Sequence, residues 1–275
     1  MLVLGVSISA VVAGFFVGNA ISFSLRKKPN YNFDVSAYTE SISDLAYSQK
    51  DLPTDRVGTD AFIIASHLLS CKKYYNISGS GVVETGFGNI GSLYIWGNAK
   101  KENGTIHTSL VTYNKMMKKY QVGLMYDFDI ANDKLVFYYG TGHSDGSATW
   151  KEPETLTSAE YKKEWGLSPD SFFTYTISSK TATTNEKPKT KILNGEKLYE
   201  YKIILDNELA VSNYAKQIKK MSELDNYPVF SLIEFSFVVN DAFEIKSVSI
   251  HERYSVYLYG MLANCDGNLS YTFEY

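Results

Sequence analysis

Between Leu198 and Val256 the spacing of apolar residues switches from alternate to helical and back again. This pattern constrains the fold more than any other stretch of the chain. Leu198-Tyr-Glu-Tyr-Lys-Ile-Ile-Leu205 reads as a strand, and Asp206 or Asn207 then offers an N-cap for a helix from about Glu208 to Ser222. Val211, Tyr214, Ile218 and Met221 share one face of that helix, while Ser212, Lys216, Lys219 and Lys220 lie elsewhere. Tyr227-Pro228 stops it, because a residue before proline is pushed out of the helical region. Ile233, Phe235, Phe237 and Val239 then alternate with polar Glu234 and Ser236, and Asn240-Asp241 turns the chain into a strand from Phe243 to Val256. An amphipathic helix set among long antiparallel strands needs a second layer to cover its apolar face, and so do the strands.

The rest of the chain repeats this plan. A helix is predicted from Thr59 to about Lys73, with Ala61, Ile64, Ala65, Leu68 and Leu69 on one face. Strands dominate from Tyr74 to Thr141. Ser92–Trp96 leads to the hairpin signal Asn103-Gly104, Thr105–Tyr113 returns, and Tyr120–Phe128 pairs with Leu135–Tyr139 through Asn132-Asp133. Thr157-Ser-Ala-Glu160 has the capping-box pattern, opening a short helix that ends at Trp165-Gly166. A strand is predicted over Phe172–Ser178 and a mobile loop over Thr181–Gly195. A last hairpin is expected to run from Arg253 through Asp266-Gly267 to Tyr275. Aromatic residues at 15%, led by 22 Tyr and 15 Phe, favour strands. The predicted class is α+β, with a mainly antiparallel sheet and helices on one face.

Residues 1–25 carry no charged side chain and are closed by Arg26-Lys27-Lys28, a length that can cross a bilayer core of roughly 20 residues. Two readings stand: a signal peptide cleaved after Ala20, or a retained signal anchor, which the length of the apolar run favours. The positive-inside rule would place the basic flank in the cytoplasm. The exported look of the downstream domain argues for the opposite side. Residues 26–57 are polar and without period and read as a tether, leaving 58–275 as one domain.

Motifs for chemistry are weak. A net charge of -3 and no basic stripe argue against nucleic acid. Gly86-Phe-Gly88-Asn-Ile-Gly91 spells a dinucleotide fingerprint, but a strand follows it where a helix is required, so no cofactor is expected. Asp127, Asp129, Asn132 and Asp133 cluster acceptors without the glycine and glutamate of a calcium loop, and His67 has no second ligand at i+4, so no metal is expected. Gly142-His-Ser144-Asp-Gly146 spells a nucleophile elbow without a helix opening behind it, and nothing places His251 near Ser144. No catalytic residue is assigned. Cys71 and Cys265 fit no metal or redox motif. They are a candidate disulfide if the domain is exported, and two separate buried thiols otherwise.

The layout, together with Tyr201-Lys-Ile-Ile-Leu-Asp206, the helix Tyr214-Ala-Lys-Gln-Ile-Lys-Lys-Met-Ser222, Pro228 and Lys246-Ser-Val-Ser-Ile-His-Glu-Arg-Tyr254, resembles the LolA/LppX-like family of bacterial envelope proteins. The resemblance covers about Thr59 to Tyr275 and implies a strongly curved half-barrel with helices in its concavity, some members carrying acylated molecules there. It brings no catalytic residues, and no lipobox cysteine stands near the N-terminus. The expected function is therefore non-enzymatic binding of a hydrophobic or lipidic ligand by a membrane-tethered domain on the extracytoplasmic side, or secreted if the first segment is cleaved. Ile64, Leu68, Tyr214, Ile218, Phe235 and Phe237 are the candidate cavity residues. The alternative is an envelope interaction module whose half-barrel is filled by its own side chains. Nothing in the sequence specifies a protein partner.

Overall fold

The computed structural model describes residues 28–85, 88–115, 121–171, 173–221, 224, 226–258 and 261–275. The apolar segment 1–25 expected to anchor the chain lies outside them. Among the described residues no helix is long and apolar enough to cross a membrane.

One curved, open, antiparallel sheet of 13 strands organises the molecule. Its first wing is a meander: β1 Tyr74–Thr85, β2 Gly88–Glu102, β3 Thr105–Asn114, β4 Val122–Asp129, β5 Lys134–Gly142 and the short β6 Ala148–Trp150, with β7 Glu154–Leu156 also on β5. The second wing holds β10 Glu196–Leu205, β11 Val229–Asn240, β12 Ile245–Leu258 and β13 Met261–Glu274, with β8 Ala182–Asn185 and β9 Lys189–Leu193 flanking β10. The wings join where β1 pairs with β13, from Asn76↔Glu274 to Thr85↔Cys265.

Alternation decides which side of this sheet is covered. Tyr201, Phe237, Val248 and Tyr271 lie in register across four strands, and the next inward row is Ile203, Phe235, Ile250 and Leu269; all eight are buried. The opposite face is polar, with a Ser249–Ser270 hydrogen bond and Asp266 between His251 and Arg253. Three helices lie over the apolar face: α1 Gly58–Cys71, α2 Ser158–Trp165 and α3 Ser212–Met221. The α1 ring of Phe62 sits 5.1 Å from Phe235 and 5.5 Å from Phe237. At the predicted Asn103-Gly104 turn both residues take positive φ, as a tight hairpin requires.

Several expectations are corrected. Asp266-Gly267 is not a turn: it lies inside β13, facing Arg253 and Glu252, because β12 and β13 pair without a break out to Leu258↔Met261. Thr181–Gly195 is not a free loop but supplies β8 and β9, and Asn185 of β8 caps α1. Its side-chain oxygen accepts from Thr59 N at 2.9 Å and its amide donates to Thr59 Oγ1 at 2.7 Å. The strand expected over Phe172–Ser178 does not form. Among its described residues the backbone runs irregularly inside the sheet, and Thr176 N donates to Ala210 O. The helix expected from Glu208 starts at Ser212, since Asp206 Oδ1 instead holds a turn through the amides of Glu208 and Leu209. Residues 28–57, read as a tether, form three single turns of 3-10 helix laid along the body. Tyr31 donates to Pro228 O at 2.6 Å, Lys180 donates to Ala37 O at 3.0 Å, and Ser179 N and Oγ donate to Glu40.

Candidate functional site

Among the described residues a cleft of about 570 Å³ opens beside α1, and a second of about 610 Å³ lies among Pro29, Thr183, Ile204, Asp206 and Phe230; the first borders the aromatic core. Four pieces of chain build most of it, and Lys162 of α2 and Asn213 of α3 add to the lining. The outer flank of α1 supplies Phe62, Ile63, Ser66, His67 and Leu69, and the ends of β1–β3 supply Tyr75, Ala99, Lys101 and Ile106. Residues 166–177 form a third wall, carrying Phe173, Thr174, Tyr175 and Ile177, and the strap at 35–42 forms the fourth. Irregular backbone lines a cavity here because residues 166–177 pack against α1 and α3 instead of adding to the sheet edge.

Half of the lining residues are polar or charged, and the rest are led by the aromatic and branched side chains of Phe62, Ile63, Tyr75, Phe173, Tyr175 and Ile177. The hydroxyls of Ser66 and Thr174 are buried and have no hydrogen-bond partner among the described residues, and Thr174 is 3% exposed. A buried hydroxyl without a partner costs about 1–3 kcal/mol, so both favour a ligand or water that meets them. His67, Lys101, Lys162 and Asp170 also line the cleft. Lys101 is already used, its ammonium donating to Ser70 O.

Behind the Tyr175 wall lies the most unusual group in the interior. Glu252 is 5% exposed on the inward face of β12, opposite Gly267, and no ion pair among the described residues includes it. Gly267 makes room for it: a Cβ there would come within 3.3 Å of Glu252 Cγ. Tyr214 of α3 donates to Oε2 at 2.8 Å and Tyr175 to the same oxygen at 3.4 Å. Burial pushes the carboxyl up to about 7, against the two tyrosine hydrogen bonds that pull it down. Glu252 was missed in the sequence although a signal exists: it is a charged residue in the inward series Val248, Ile250, Glu252, Tyr254, Val256.

None of the six candidate cavity residues lines the cleft. Ile64, Tyr214, Ile218, Phe235 and Phe237 are buried core, and Leu68 is half-buried against it. The structure brings Tyr214, Phe235 and Phe237 into one aromatic cluster with Tyr175 and Phe62. Cys71 and Cys265 are separate thiols, the first exposed at the end of α1 and the second buried on β13. Cys265 occupies an inward position, where burial pushes its thiol up to about 12. Cys71 in fact stands at i+4 from His67, a position expected to hold no second ligand, and its Sγ lies 3.8 Å from His67 Nε2. Ser144 sits in the β5–β6 hairpin, and β6 follows it where an elbow would need a helix. His251 is bound to Asp266 on the polar face of β12, six strand positions away in the sheet order. Thr85 pairs with Gly88, so the described part of the glycine-rich motif, 88–91, already belongs to strand β2 where the fingerprint needs a helix. Asp129 binds the amides of Ala131 and Asn132, Asp127 faces His107, and Asp133 accepts from Ser158 N.

No model of a known protein family matches the chain, and no curated protein matches it. Among solved structures, an N-terminal dehydratase from the difficidin assembly line aligns over 82% of this chain and 90% of its own, at 8% identity and a TM-score of 0.13. A bifunctional dehydratase-cyclase domain of ambruticin biosynthesis aligns over 70% of this chain and 74% of its own, at 9% identity and a TM-score of 0.11. Likenesses at this level carry no argument about fold or chemistry.

Proposed function

We propose that this chain is a non-enzymatic binding protein of the cell envelope, a half-barrel domain that takes an apolar or lipidic ligand in the cleft between α1, residues 166–177 and the strap. The observation that supports this is the cleft itself. It has about 570 Å³ left unfilled, within the range of roughly 300–1,000 Å³ typical of small-molecule sites, walled by Phe62, Ile63, Tyr75, Phe173 and Ile177. Such a volume suits one small amphiphile, with the Ser66 and Thr174 hydroxyls meeting a polar atom of it. The apolar run 1–25 would hold the domain at the membrane, on the extracytoplasmic side. The second reading, an interaction module with a self-filled core, is favoured by the packing of Ile64, Phe235 and Phe237, each 0% exposed.

Hydrogen exchange of the full chain with and without the uncharged apolar probe N-phenyl-1-naphthylamine separates these readings. Peptide resolution keeps any probe bound to residues 1–25 from confusing the result. Saturable protection of 62–70 and 173–177 is expected. Protection of neither segment would leave the interaction module standing.

A further inference from the structure

Tyr175 belongs to two places at once. Its ring is part of the cleft wall, and its hydroxyl reaches the carboxylate oxygen of Glu252 that Tyr214 also holds. The two rings lie 4.6 Å apart. The bonds differ in quality: Tyr214 is at a normal 2.8 Å, whereas Tyr175 at 3.4 Å is at the limit of a hydrogen bond. An ionised carboxylate draws O–H donors in to about 2.5–2.7 Å, and a protonated one has less acceptor capacity. Ionisation therefore pulls the Tyr175 hydroxyl away from the cleft by up to roughly 0.8 Å, widening it.

The groups facing Glu252 come from every element around it: Tyr175 from the 173–177 segment, Tyr214 from α3, Tyr254 on β12, and Cys265 on the neighbouring β13. Tyr271, also of β13, acts electrostatically on Tyr175, and its buried hydroxyl is unpartnered among the described residues.

We propose that the protonation of Glu252 sets the position of Tyr175 and through it how tightly the cleft takes its ligand, so that acidification closes the wall and releases the ligand. This rests on the binding role given above to the cleft. It adds a proton-sensing group that never touches the ligand.

The test follows exchange of the full chain at pH 5.5 and pH 8.5, corrected for the intrinsic pH dependence of exchange, while the same neutral probe is titrated. Half-saturation of protection over 62–70 and 173–177 should need at least about fivefold more probe at pH 5.5. Glu252→Gln should bind with no such difference. Tyr175→Phe, which keeps the carboxyl and cuts the link, should lose it too, so a folding failure in one variant does not end the test. His67→Asn, which changes a lining residue able to carry charge but with no hydrogen bond to Glu252 or Tyr175 among the described residues, is the control. It should keep the difference. Equal affinity at both pH values, tighter binding at pH 5.5, or a difference that survives in both Glu252→Gln and Tyr175→Phe would overturn the proposal while leaving the binding role intact. Probe that protects neither segment at either pH would instead overturn the binding role, and with it the release of a ligand. Probe-free exchange of 173–177 would then show separately whether the wall follows the proton, changing with pH in the wild type and not in the variants.

Discussion

Glu252 makes a further claim at the scale of one residue, on stability. Its carboxyl is raised from 4.5 to about 7 in the folded protein, so the native state holds the proton more tightly than the unfolded chain. The stabilisation is therefore complete below about pH 4.5 and is lost as pH rises through about 7. At roughly 1.4 kcal/mol per pH unit the whole loss is on the order of 3–4 kcal/mol, and about 2–3 kcal/mol of it falls between pH 5 and pH 8. Urea midpoints should fall between pH 5 and pH 8 in the wild type and stay level in Glu252→Gln; equal slopes in the two would refute this account. A charge at an inward strand position was readable from the sequence, but its partners were not. Tyr175 and Tyr214 come from elements whose placement depends on tertiary packing. The cysteines show the same limit: spacing does not tell that Cys265 faces inward while Cys71 ends a helix on the outside.

Elements with a local cause were legible. The capping box at Thr157 forms as expected, with Glu160 N donating to Thr157 Oγ1 at 3.2 Å and Thr157 N to Glu160 Oε2 at 2.8 Å, and Gly166 closes α2 with φ 73°. The β2–β3 hairpin is equally local. Gly104 has φ +80° with open space around it, so Gly104→Ala meets no clash and is opposed only by the backbone. It should cost about 1–2 kcal/mol in chemical denaturation, and a neutral result would show that the turn relaxes to another type. Elements with a distant cause were misread. Strands β8 and β9 are polar and short, with Lys189–Leu193 exposed throughout, so no alternation marks them. Their place comes from the edge of β10 and from Asn185 capping a helix 126 residues earlier in the chain. The irregular 173–177 segment carries as many aromatics as a strand, and periodicity alone could not tell them apart.

At the scale of the whole molecule, the antiparallel sheet with helices on one face was legible, because the alternation in β10–β13 admits no other arrangement. The cleft was not. Cavities arise where separate pieces of chain fail to fill a corner, and five of the six residues chosen from periodicity are fully packed core, Leu68 being half-buried. The seam between the wings was also hidden, since nothing in either sequence segment names β1 as the partner of β13. Gly79 tests it. A Cβ at this position would fall 2.4 Å from Ser270 O and 2.5 Å from Tyr271 Cβ, so Gly79→Ala must push the two strands apart. The expected cost is about 1–3 kcal/mol, seen as a lower unfolding temperature together with faster exchange along both strands. Fast exchange confined to β1 would mean that the wings are not mechanically joined there.

The seam also sets a schedule. Ser78 meets Thr272, 194 residues further along, so β1 leaves the ribosome long before its partner exists. At roughly 5–20 residues per second, the nascent chain waits on the order of 10–40 s with an open strand edge ready to accept any other strand. Strand β13 closes that edge. A nonsense codon before β13 would therefore leave both wings unsealed, and a cell making this protein has reason to guard its β1 edge until Met261–Glu274 has emerged.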